Sequence, residues 1–105
     1  MEFKGTTQKW ELTHVEVSEE VFSPYYYIQG EYDCESVCIL PKNGSITTEK
    51  LKANAKLIAC APEMLEELIH LEDYITRSLV LSGCDQKSID YILRNTRPLI
   101  KKATE

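Results

Sequence analysis

The 105-residue chain contains no apolar run approaching the roughly 20 residues that a membrane-spanning helix needs, so no membrane partner is expected. Its opening residues, MEFKGTTQKWEL, carry no hydrophobic signal core and no small-residue cleavage site, and a cytoplasmic location is expected. Positive charge is scarce: twelve Lys and Arg stand against seventeen Asp and Glu, a net charge of −5. A surface built to neutralise phosphate backbone needs the opposite balance, so direct nucleic-acid binding is not expected, and the balance leaves room only for a local basic patch. There is no nucleophile elbow, no phosphate-cradling glycine loop and no His-Glu metal motif. The two histidines, His14 and His70, are isolated from other metal-ligating residues. The four cysteines, Cys34, Cys38, Cys60 and Cys84, are too scattered for a disulfide scaffold. In an extended segment Cys34 and Cys38 would lie about 13 Å apart, beyond the ~7 Å between Cα atoms that a disulfide tolerates. No metal, no cofactor and no catalytic residue is expected, and the thiols are expected to be reduced.

What is present suits a small folded domain. Hydrophobic residues make up 43% and charged residues 28% of 12.1 kDa, enough for one core and too little for two. Residues 1–45 carry strand patterns and residues 46–105 helical ones, with no repeat or low-complexity linker between them. Gln8 to Val17 alternates, with a change of phase near Thr13 and His14 that predicts a bulge or bend. Val21 to Ile28 is aromatic-rich, and Pro24 confines its start to a strand beginning or an edge. Ser36 to Leu40 makes a third strand, and Pro41-Lys42-Asn43-Gly44 reads as a turn. The expected class is α+β: a three-stranded antiparallel sheet followed by two to three helices.

The helical half has clear punctuation. Thr47 or Thr48 can cap a first helix, with Glu49 favoured by the dipole of its opening turn. Leu51, Ala55 and Ile58 form one stripe; Leu65, Leu68, Ile69, Glu72, Ile75 and Leu79 form another. Pro62 falls between them and predicts a break, because a helix-interior proline costs ~3 kcal/mol. Gly83 should end the long helix in a left-handed cap, and Asp85 should cap a last one whose apolar face is Ile89, Ile92 and Leu93. Pro98 either kinks that helix or starts a final turn. The long helix offers more apolar surface than a small sheet can cover, so a homo-oligomer, a dimer or higher, is expected.

The segment Ala53-Asn54-Ala55-Lys56-Leu57-Ile58-Ala59, followed by Ala61-Pro62-Glu63-Met64-Leu65-Glu66, closely resembles a signature of many small phage-encoded proteins, which read roughly EANARLIAAAPELLEAL. Those proteins carry an N-terminal β-meander, often with a tryptophan strand like Lys9-Trp10-Glu11-Leu12. The layout is also similar to phage sponge proteins that defeat the Thoeris defence system. Those oligomerise and sequester cyclic ADP-ribose-type signals, some also cyclic oligonucleotides, between protomers. The resemblance implies a phage protein that works in the host cytoplasm.

Two functional expectations follow. In the first, the chain binds and sequesters a host cyclic nucleotide or ADP-ribose-type immune signal at subunit interfaces. Arg94, Arg97 and Lys101 recur at three- and four-residue spacing and could grip phosphate, or could simply complement a helix C-terminus. Tyr25 and Tyr27 share one strand face and could stack a base, or anchor a protein interface. Asn54, between two alanines, could bond across a helix–strand contact or to a ligand, and Trp10 is expected in the core. In the second, the chain inhibits a host defence enzyme or nuclease through an acidic helix face, since Glu63, Glu66, Glu67 and Glu72 lie at spacings typical of a solvated surface. Neither expectation involves catalysis.

Overall fold

A computed structural model describes residues 3–6, 9–16, 25–32, 35–42 and 45–105. Three strands, β1 (Trp10–Val15), β2 (Tyr25–Gly30) and β3 (Ser36–Pro41), form an antiparallel sheet in the order β1-β2-β3. Four helices follow: α1 (Thr48–Ala59), α2 (Ala61–Leu81), α3 (Gln86–Ile92) and α4 (Thr96–Thr104). The expected α+β class holds, with the last helical region divided in two. The chain falls into two compact units, Thr6–Pro62 and Met1–Gly5 with Glu63–Glu105.

The first unit is the sheet with α1. Alternation along β2 buries Tyr26 and Ile28 and leaves Tyr25 and Tyr27 half-buried on the opposite face. Tyr26 packs with Leu51 and Ala55 of α1, and Leu12, Leu40 and Ile46 close around them. Ala55 is fully buried; a larger side chain there would meet that cluster. The expected bulge near Thr13 and His14 is not found. Strands β1 and β2 pair without a break from Trp10 opposite Gly30 to Val15 opposite Tyr25. His14 therefore lies on the Tyr26 face, its ring stacked on that tyrosine at 4.5 Å. The irregularity falls instead between β2 and β3, where Ile28 pairs with Cys38 but Gln29 with Ser36. Trp10 is half-buried, and its Nε1 donates to the Thr6 carbonyl at 3.0 Å. The Val21–Pro24 segment, Asn43-Gly44 and Cys34 lie outside the described residues, while Cys38, Cys60 and Cys84 are free thiols.

Helix α1 begins where Thr47 accepts a bond from the Lys50 amide at 3.2 Å. It ends at Cys60, whose amide reaches back to the Lys56 and Leu57 carbonyls. Pro62 is the second residue of α2, where no helical amide is required of it.

The second unit holds α2, α3 and α4. Helix α2 contains no fully buried residue; its half-buried stripe includes Leu65, Leu68, Ile69, Glu72, Ile75 and Leu79, as the periodicity predicts. Ile89, Leu93 and Ile100 are buried on the shorter helices, whereas Ile92, expected beside them, is 51% exposed. Gly83, at φ 83°, ends α2. The Cys84 amide bonds the Leu79 carbonyl and the Gly83 amide bonds Val80, the pattern of a Schellman cap. Asp85 then caps α3 by accepting from the Ser88 amide at 2.8 Å. The interruption after α3 comes at Leu93–Asn95, ahead of Pro98, which occupies the third position of α4.

Candidate functional site

The densest polar arrangement joins all three helices of the second unit through Arg97. Its Nε donates to Glu72 Oε1 at 3.0 Å, Nη1 to Asp90 Oδ1 at 2.8 Å and Nη2 to Thr76 Oγ1 at 3.3 Å. Glu72 and Thr76 share one face of α2, one turn apart, and Asp90 comes from α3. The carboxylates of Glu72 and Asp90 push the Arg97 guanidinium further into its charged form. The Gln86 amide and then Arg97 hold the Asp90 carboxyl below its usual range. Three of the five guanidinium N–H donors are met by two carboxylates and a hydroxyl, a fork geometry that arginine satisfies and lysine does not.

That arrangement changes the meaning of the basic stretch. Arg97 is ion-paired inside the unit, and Glu72, read from spacing as part of a solvated face, has a side chain only 20% exposed. Arg94 sits in the turn between α3 and α4; its guanidinium lies 4.1 Å over the Tyr91 ring and donates to the Tyr91 carbonyl. Lys101 pairs with Glu105 at 3.6 Å. Among the described residues the three cations share no partner, and the break at Leu93–Asn95 takes Arg94 off the helix that carries the other two.

The remaining candidates belong to the first unit. Tyr25 and Tyr27 have ring centroids 6.4 Å apart on the sheet face away from α1, in cross-strand rows with Pro41 and Ile39. Ile39 on that face is 63% exposed. Asn54 is exposed on α1 and does not bridge a helix–strand contact; the buried alanine of its trio is Ala55.

In the second unit a shallow groove of about 340 Å³ is lined by Ile69, His70, Glu72, Asp73, Arg77 and Ile100. Asp73 and Arg77 pair across one turn at 3.1 Å, so the groove offers charges already matched. No cluster of three metal-ligating side chains occurs among the described residues. Among the described residues no helix is long and apolar enough to cross a membrane.

The acidic run of α2 is exposed for most of its length, as its spacing predicts. The helix carries five acids, Glu63, Glu66, Glu67, Glu72 and Asp73, against the single base Arg77. The first three are exposed, and none of them enters an ion pair among the described residues. Met64, Leu71 and Tyr74 emerge beside them, 49%, 44% and 69% exposed. The signal for Glu72's separate role was its position within the apolar stripe, where a charged residue needs an internal partner.

The family match over the whole length places this α+β chain among phage proteins. It belongs to the family described as Salmonella phage P22 protein Y8K6, which matches residues 1–105. No curated protein and no solved structure matches the chain.

Proposed function

We propose that this phage protein is a non-catalytic anti-defence factor of the host cytoplasm that occupies a host defence enzyme or nuclease through the acidic face of α2. The observation that carries this reading is the unequal use of charge. Arg97 is ion-paired to two carboxylates of its own unit, while Glu63, Glu66 and Glu67 stand exposed beside apolar side chains. A negative, partly apolar helix face suits the basic clefts of enzymes that handle nucleic acids, because opposite charge steers encounter and apolar contact slows release.

A second reading is sequestration of a cyclic nucleotide or ADP-ribose-type signal between subunits. It is supported by the Tyr25–Tyr27 pair, which offers flat aromatic surface for a base, and by exposed Arg94 near the chain's basic end. In this reading Arg94 and Lys101, rather than Arg97, supply the phosphate contacts, and Asn54 remains an exposed amide on the other unit.

The test combines infection with binding. The chain is expressed in cells that carry a defence system, and the plating of a defence-sensitive phage is measured. The wild-type chain should restore plating, and Glu63→Lys with Glu66→Lys should abolish the rescue while leaving the circular dichroism unchanged. A thermal-shift panel of cyclic nucleotides and ADP-ribose derivatives should give no shift; a ligand at 100 times its Kd would add ~2.7 kcal/mol and be plainly visible. A nucleotide shift removed by Tyr27→Ala and Arg94→Ala would put the second reading first. Failure to restore plating against every defence tested would remove both.

A further inference from the structure

The long helix carries a second stripe that its own unit does not bury. Met64, Glu67, Leu71, Tyr74, Ser78 and Leu81 follow one another at spacings of three and four residues along α2. That is the spacing of a coiled-coil seam, extending about 26 Å at 1.5 Å per residue. Met64, Leu71, Tyr74 and Leu81 are 49%, 44%, 69% and 88% exposed. The inward stripe of Leu65, Leu68, Glu72, Ile75 and Leu79 lies to one side of it, about a quarter turn away or slightly more at 100° per residue. Leu68 and Ile75 border both stripes.

We infer that this seam pairs with the same seam of a second copy, antiparallel, about a two-fold axis between Glu72 and Asp73. The order of residues along it reads the same in both directions: apolar, polar, apolar, apolar, polar, apolar. Antiparallel pairing therefore sets Met64 against Leu81, Leu71 against Tyr74 and Glu67 against Ser78 of the other copy, so each layer joins like with like. It also brings Glu67 to the level of the other copy's Ser78 and of its neighbour Arg77, placing the acidic half of each helix over the half that holds its only base. Parallel pairing would stack Glu67 on Glu67, a like-charge layer in a desolvated seam. Leu68 and Ile75 would face each other along one flank and extend the apolar contact. The charge pattern and the palindromic order thus both select a second copy in one orientation. The seam takes Met64, Glu67, Leu71 and Tyr74 from the face assigned to docking above and leaves Glu63 and Glu66 outside it, so through those four side chains a copy engages either its twin or the host enzyme, not both at once.

The test uses the full chain. Light scattering across a dilution series should give about twice the 12.1 kDa of one copy, falling to a single mass on dilution. Leu71→Lys, at a position already exposed in one copy, should return the mass to 12.1 kDa at every concentration with the helical circular dichroism retained. Orientation is read by oxidation in a chain whose four native cysteines are alanine. Glu67→Cys with Ser78→Cys should give a covalent dimer, and Glu67→Cys alone should not. A single-copy mass at all concentrations, an unchanged mass for Leu71→Lys, or a covalent dimer from Glu67→Cys alone would each overturn the assignment.

Discussion

Ile100 and Leu99 are neighbours in α4 with opposite surroundings, and replacing each by alanine measures whether the helical unit packs as described. Ile100 is 1% exposed and Leu99 is 58% exposed. Ile100→Ala deletes three buried carbons, a transfer loss of about 2.5 kcal/mol at ~0.8 kcal/mol per methylene. The cavity left behind adds to this, and buried isoleucine-to-alanine changes span about 2–5 kcal/mol, so about 3–4 kcal/mol is expected. That is a large part of the ~5–15 kcal/mol that holds a domain of this size. Leu99→Ala removes a side chain already more than half in water and should cost less than about 1 kcal/mol. Urea titration followed by far-UV circular dichroism reads the difference. With a slope of roughly 1.5 kcal/mol/M, Ile100→Ala should lower the midpoint by about 2 M and Leu99→Ala by a small fraction of that. Equal shifts for the two variants, or a loss below about 1 kcal/mol for Ile100→Ala, would refute the packing of α4.

Other substitutions probe single interactions. Gly83→Ala should lose about 1 kcal/mol in thermal melts, because a β-carbon at φ 83° is strained even though nothing lies within 4 Å of it; Gly83→Asn should lose less. Arg97→Met should lower the melting temperature more than Arg94→Met, since only the former leaves half-buried Glu72 without its ion-pair partner, with the Thr76 hydroxyl still donating to it, and Arg97→Lys should recover only part of the loss. Asp85 and Asp90 are held below the usual carboxylate range, Asp85 by the Ser88 hydrogen bonds and Asp90 by Gln86 and Arg97. Their stabilisation is present above the unfolded value near pH ~3.9 and is lost as pH falls through the lower folded values. Asp85→Asn with Asp90→Asn should therefore flatten the melting temperature against pH below about pH 4, and an unchanged slope there would contradict the two hydrogen-bond assignments.

Most of the fold is written in local chemistry. Thr47, Gly83 and Asp85 mark helix ends through their own hydrogen-bonding and backbone preferences, and each sits where those preferences put it. The alternation in β2 likewise places Tyr26 inward and Tyr25 and Tyr27 outward. The bulge was misplaced because Val15 follows His14, and a histidine on the inner face looks like a break in apolar alternation. It is accommodated there by stacking on Tyr26, a cross-strand partner that only pairing reveals. The partners of the basic stretch were hidden for a related reason. Spacing along α3 and α4 groups Arg94, Arg97 and Lys101, but the acids that claim Arg97 lie on other helices, 25 and 7 residues away in the chain. Periodicity reports one helix at a time; the partner of a charge is a tertiary fact.

The account rests on Arg97 being consumed within the helical unit and not offered to a ligand, and arginine side-chain NMR reads this directly. The Arg97 Nε–H, bonded to Glu72 at 3.0 Å, should exchange slowly with water and should not move when inorganic phosphate or a cyclic nucleotide is added. An Arg97 signal that exchanges as fast as a freely solvated arginine, or that shifts with phosphate, would contradict the account.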